Sequence, residues 1–125
     1  MAAEVNVNLI AELTGLGREI NFIDRAADGT TPTAATYNYR VLATANTAEA
    51  LDLGDISTVT GIAIRAIDYD LDIDLDFVAA PLDADLTVKA GELPALIPNP
   101  AGTIYVNGSE TDETPKYEYL IWGTT

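Results

Sequence analysis

With 125 residues, no cysteine and no histidine, the chain has the length of one domain, and its composition excludes disulfides, thiol nucleophiles, imidazole bases and the usual zinc and copper ligands. Twenty acidic residues against six basic ones give a formal charge of −14, which opposes a phosphate backbone and removes nucleic acid from the expected partners. No apolar run approaches the roughly 20 residues that span a bilayer, and Met1 to Asn6 carry neither the basic segment nor the apolar stretch of a secretory signal, so a cytoplasmic origin and no membrane partner are expected.

Residues 4–14 alternate, with Val5, Val7, Leu9, Ala11 and Leu13 on one side, and end at Gly15-Leu16-Gly17; this predicts a first strand. Arg18 to Asp24 place Ile20 and Phe22 on one face before Asp28-Gly29 and Pro32 open a loop, which predicts a short second strand. Tyr37, Tyr39 and Val41 mark a third strand within 37–45, and residues 46–55 read as a connection too short for a stable helix.

From Thr58 the chain alternates again, with Ile62 and Ile64 inward, until the apolar parity flips from even to odd at Ala66-Ile67. A flip requires a bulge or a turn. A strand at 58–66, a tight connection at Asp68-Tyr69-Asp70 and a strand at 71–79 satisfy it. In that last strand Asp72, Asp74 and Asp76 take one parity and Leu71, Ile73, Leu75 and Phe77 the other, a separation that extended backbone achieves and a helix does not. Because aspartate is a poor strand former, burial of the apolar set must dominate there.

Leu86 to Val88 form a further short strand, and Gly91 supplies a turn position suited to positive φ. The segment Leu93 to Pro100 holds three prolines, which lack amide donors, so it belongs at a sheet edge or in a crossing segment. Strands at 103–107 and 116–123 complete the chain, the last with Tyr117, Tyr119 and Ile121 on one side and Leu120 and Trp122 on the other. About eight short strands with frequent turns and almost no helical periodicity predict an all-β fold: one antiparallel β-sandwich domain over residues 1–125, of the jelly-roll kind.

The aspartates invite a calcium site, with Asp68, Asp70 and Asp72 as candidate ligands where the turn meets the strand, because calcium prefers carboxylate oxygens. Same-face residues of a strand stand about 6.6 to 6.8 Å apart, so a regular strand needs help from a second one to bind an ion. The bland reading is a solvated electrostatic surface of Asp72, Asp74 and Asp76, and no cofactor is expected. Paired carboxylates at this spacing also resemble a glycosidase pair, but a solvated stripe produces that spacing automatically, and no nucleophile motif accompanies it. No enzymatic activity is expected. Among the aromatic residues, Trp122 and Tyr119 are the candidates for a contact between protomers or with a ligand, together with Leu93, Pro94 and Pro98 of the proline-rich segment.

The stretches Ala50 to Ile56, Gly61 to Ala66, Val88 to Glu92, Gly102 to Val106 and Tyr117 to Gly123 resemble, over roughly residues 50–125, the small β-sandwich virion proteins of tailed bacteriophages, in particular capsid decoration (cement) proteins and related head accessory proteins. The resemblance implies a non-enzymatic structural protein made in the host cytoplasm, sitting on the capsid exterior of the virion as a homotrimer and binding the major capsid protein. Its alternatives are a tail or receptor-side carbohydrate-binding module and a calcium-dependent assembly or adhesion module.

Overall fold

The computed structural model describes residues 3–125, so the reading of Met1 and Ala2 lies outside it. Among the described residues there is no helix, and the strands pair antiparallel throughout. In chain order they are β1 (Asn6–Leu13), β2 (Ile20–Ala27), β3 (Ala34–Val41), β4 (Glu49–Ala50), β5 (Thr58–Ala66), β6 (Leu71–Asp74), β7 (Leu86–Val88), β8 (Ala95–Pro98), β9 (Tyr105–Gly108) and β10 (Lys116–Thr124).

Eight of these make two four-stranded sheets, ordered β3-β10-β5-β8 and β4-β9-β6-β7. The pairing is nested: β3 with β10, β4 with β9, β5 with β8 and β6 with β7. From Ala34 to Thr124 the chain is therefore one long hairpin whose successive segments fall alternately in the first and second sheet. The core lies between them, with Ile62, Ile64, Tyr117 and Ile121 supplied by the first sheet and Leu71, Ile73, Val88 and Val106 by the second. Alternation along each strand is what puts those residues on one face.

The strand at 58–66 and the turn after it lie where the parity flip places them, and β8 is an edge strand, as its prolines require. Gly91 has φ of 67°, as its turn demands. The acidic strand is shorter than predicted: it ends at Asp74, whose side chain accepts the backbone amides of Asp76 and Asp83 and bends the chain away. Phe77 then stacks on Tyr105 at 3.9 Å between ring centroids. The 46–55 connection contains the two-residue β4, paired with β9.

The two stacked rings of Tyr117 and Tyr119 run through the core and end in polar clamps. The Tyr117 hydroxyl donates to Glu49 at 2.5 Å, and burial, followed by that bond, pushes its pKa up. The Tyr119 hydroxyl accepts from the Asn38 side chain at 2.9 Å and the Asp52 amide at 3.1 Å.

Candidate functional site

β1 and β2 stand apart from the sandwich as a two-stranded hairpin, an arm that pairs with neither sheet. Its register opposes Val7 to Ala26, Ala11 to Phe22 and Leu13 to Ile20, so one face is almost wholly apolar, interrupted by Asp24 opposite Leu9. The other face carries Asn8, Glu12, Asn21 and Arg25 with Ile10 and Ile23. Both faces are open to solvent: Phe22 is 60% exposed and Leu16, at the tip, 75%. A lone two-stranded hairpin is at best marginally stable in water, and monomeric proteins rarely leave so continuous an apolar surface uncovered.

The root of the arm is firmly seated. The Asp28 amide donates to the Val5 carbonyl at 2.9 Å, closing the hairpin at its base. One Asp28 carboxylate oxygen accepts the Thr30 amide, and the other accepts the Trp122 indole N–H at 2.7 Å. Those two donors, the amide first, hold the Asp28 carboxyl below its usual range. The indole lies over Gly61 of the neighbouring strand, where a β-carbon would collide with the ring. Trp122 is thus the hinge pin on which the arm meets the outer face of the first sheet, and it is only 4% exposed. On its β8 side a groove of about 240 Å³ separates Val7, Leu9 and Ala26 of the arm from Leu96 and Pro98.

Further along the same outer face, β3 presents Tyr37, Tyr39 and Val41, with Leu120 of β10 beside them, all exposed. The charges here compensate one another. Glu118 accepts from Arg65 at 2.6 Å and from the Tyr37 hydroxyl, and the Tyr37 bond is the leading cause that keeps its carboxyl below the usual range. The acidic load lies elsewhere: seven aspartates and no cation occupy residues 68–85. The arm from Asn6 to Ala27 carries Glu12, Glu19 and Asp24 against Arg18 and Arg25, a net charge of −1.

The predicted calcium trio does not converge. Asp68 accepts the Lys116 amide, Asp70 the Ala90 amide and Asp72 the Thr87 hydroxyl, so each carboxylate ties the turn or strand to a different segment. A different trio does gather: Asp74, Asp76 and Asp85, whose carboxylate oxygens lie within 4.8 Å of one another. These oxygens are of the type calcium takes, but calcium needs six to eight. Both oxygens of Asp74 and one of Asp85 are already engaged by the amides of Asp76, Asp83 and Leu75. Asp74 is buried at 3% exposure, which also removes it from the predicted electrostatic surface; Asp72 and Asp76 remain nearer solvent.

The pair titrates in opposite directions. Burial raises the pKa of Asp74, but the hydrogen bonds from Asp76 and Asp83 outweigh it, and the net shift is down. Asp76 shifts up, first through its hydrogen bond to Asp74 and then through the charge of Asp85. A raised carboxyl contributes its stability below the ordinary carboxylate range and loses it as pH rises through the folded value, so at neutral pH Asp76 is a source of repulsion. Asp76→Asn should therefore melt higher than the native chain at pH 7, with the advantage shrinking as pH falls towards 4. A lower melting temperature at pH 7 would show that the Asp76 charge is needed there.

The remaining candidates are placed as follows. Tyr119 is 1% exposed and belongs to the core, so it makes no contact between protomers: its parity on β10 points it between the sheets. Trp122 is covered by the chain's own arm root. Leu93, Pro94 and Pro98 are exposed along the β8 edge, as a contact role requires. Sequence reasoning passed over the arm and the Tyr37–Val41 face, although the alternation of both strands and the aromatic start of β3 were visible. No family model, curated protein or solved structure matches this chain. No helix among the described residues is long and apolar enough to cross a membrane.

Proposed function

We propose that this chain is a non-enzymatic structural protein of a tailed-phage virion, a capsid decoration protein that binds the major capsid protein on the outside of the head as a homotrimer. The observation that carries the reading is the uncovered apolar arm: a strongly acidic chain gives about a sixth of its length to a hairpin that pairs with no other strand among the described residues. Such a surface fits association. The nested pairing of β3 to β10 supports a jelly-roll reading of the sandwich, and the jelly roll is an architecture used by viral capsid domains.

Acting in this role, the protein stabilises by mass action, because whatever binds the assembled shell and not its separated subunits shifts the equilibrium towards assembly. Many identical contacts on one particle reinforce one another through avidity. The acidic 68–85 region, on the second sheet and the turns that flank its strands, is suited to a basic patch of the shell.

The test is co-sedimentation with empty heads assembled from the major capsid protein of the same genome. The chain should pellet with the heads to a fixed stoichiometry and raise the temperature at which they disrupt. Recovery wholly in the supernatant would sink the reading. The second reading, a carbohydrate-binding tail module, is favoured by the neighbouring exposed rings of Tyr37 and Tyr39, and the jelly roll is also an architecture of lectin domains. It requires retention on a glycan surface that Tyr37→Ala abolishes.

A further inference from the structure

We infer that the arm is an exchanged element: the hairpin Asn6–Ala27 of one copy lies across the Tyr37–Val41 face of a neighbouring copy, giving a head-to-tail contact that closes into a ring. This deepens the assembly reading and rests on it only for the existence of a homo-oligomer.

The chain leaves two apolar surfaces uncovered, and it does not use one to cover the other. The arm is rooted at Asp28 and Trp122 near the start of β3, its apolar face lines a groove with Leu96 and Pro98 of its own sheet, and its distal half with Leu13, Leu16, Ile20 and Phe22 stands free. The face is long enough for the free part of the arm: the five residues Tyr37–Val41 extend about 17 Å, and the eight-residue hairpin, of which the distal half stands free, about 27 Å.

They also match in size and charge. One head-to-tail contact joins the arm of one copy to the face of the next, and the exposed parts of the arm's apolar face and of Tyr37, Tyr39, Val41 and Leu120 together amount to on the order of 1,000 Å², about the total area that a specific interface has to bury. Two copies of a −14 chain repel one another except where charge is depleted. The arm carries a net charge of −1, and on the sheet face the charges of Glu118 and Arg65 cancel while Lys116, opposite Val41, adds one positive charge. A second copy is therefore the occupant these surfaces fit.

Symmetry decides between arm on face and arm on arm. A two-fold arm-to-arm contact would bury the hairpins and leave Tyr37 and Tyr39 open, whereas a heterologous contact covers both surfaces once in every copy, and a ring satisfies all of them.

Two full-length variants test this. The arm variant, Leu13→Lys/Ile20→Glu/Phe22→Thr, keeps the hairpin by opposing the new charges across it. The face variant, Tyr39→Arg/Val41→Asp, places each new charge opposite its cross-strand complement, Glu118 and Lys116. Far-UV circular dichroism of each should match the native chain. By light scattering after gel filtration, the native chain should be a multimer of 13.2 kDa units and each variant alone a monomer. Mixed one to one, the variants should form a dimer of twice the monomer mass, because the intact arm of the face variant still finds the intact face of the arm variant. A face variant that keeps the native mass, an arm variant that keeps it, a monomeric native chain, or a mixture that stays monomeric at the highest soluble concentration would each overturn the inference. Failure of the decoration reading would look different: a native multimer that does not pellet with heads.

Discussion

Trp122→Ala should lower the unfolding free energy by about 3–5 kcal/mol, the usual cost of removing a large buried aromatic ring, and for a domain of this size the melting temperature should fall by roughly 10 to 20 °C. The ring is 4% exposed and fills the space over Gly61, where no β-carbon fits, so the substitution leaves a cavity at the root of the arm. It also removes the indole N–H, one of the donors that hold the Asp28 carboxylate. Because the damage lies at the junction, the arm should loosen along with the loss of stability. Amide exchange within Asn6–Ala27 should accelerate more than exchange in β5 or β6. If the melting temperature moved by only a degree or two, Trp122 would be a surface residue and the arm would be seated by something else.

Tyr119→Ala should be comparably damaging, by about 3–5 kcal/mol from cavity formation alone. It would also deprive the Asn38 side chain and the Asp52 amide of the hydroxyl they share. The diagnostic is the contrast with Tyr37, the residue just before Asn38 on the same strand and so on the outer face. Removing the Tyr119 ring should lower stability at any protein concentration, whereas Tyr37→Ala should weaken association and leave the fold of the single chain intact. Equilibrium urea unfolding at two protein concentrations separates the cases: the native midpoint should rise with concentration, Tyr119→Ala should lower it at both, and Tyr37→Ala should flatten the dependence, because mass action stabilises only copies that associate. A Tyr119→Ala protein of native stability that fails to associate would return Tyr119 to the interface.

Much of the architecture is written in alternation. The parity flip at Ala66-Ile67 marks a turn because no single strand can present Ile64 and Leu71 to the same core, and both are buried there. Likewise the prolines of 93–100 could occupy only an edge, and β8 is one. The arm shows where such reading ends: alternation in β1 and β2 announces two strands and their apolar face, but not whether that face has anything to pack against. The same gap explains Tyr119 and Trp122. Their opposite faces were legible, but which face is the core depends on the second sheet, and the cover over Trp122 comes from Asp28, 94 residues away in sequence. Asp74 is the sharpest case. Its burial depends on amides of Asp76 and Asp83 that fold back onto it, contacts that neither composition nor period can express.

The proposed role and the exchanged arm both require that this chain associate with itself, and the solution mass of the intact protein is the test. Measured by light scattering after gel filtration, once with calcium and once with a chelator, the mass should be close to 40 kDa in both, three times the 13.2 kDa chain. A mass of 13.2 kDa under both conditions would contradict the claim.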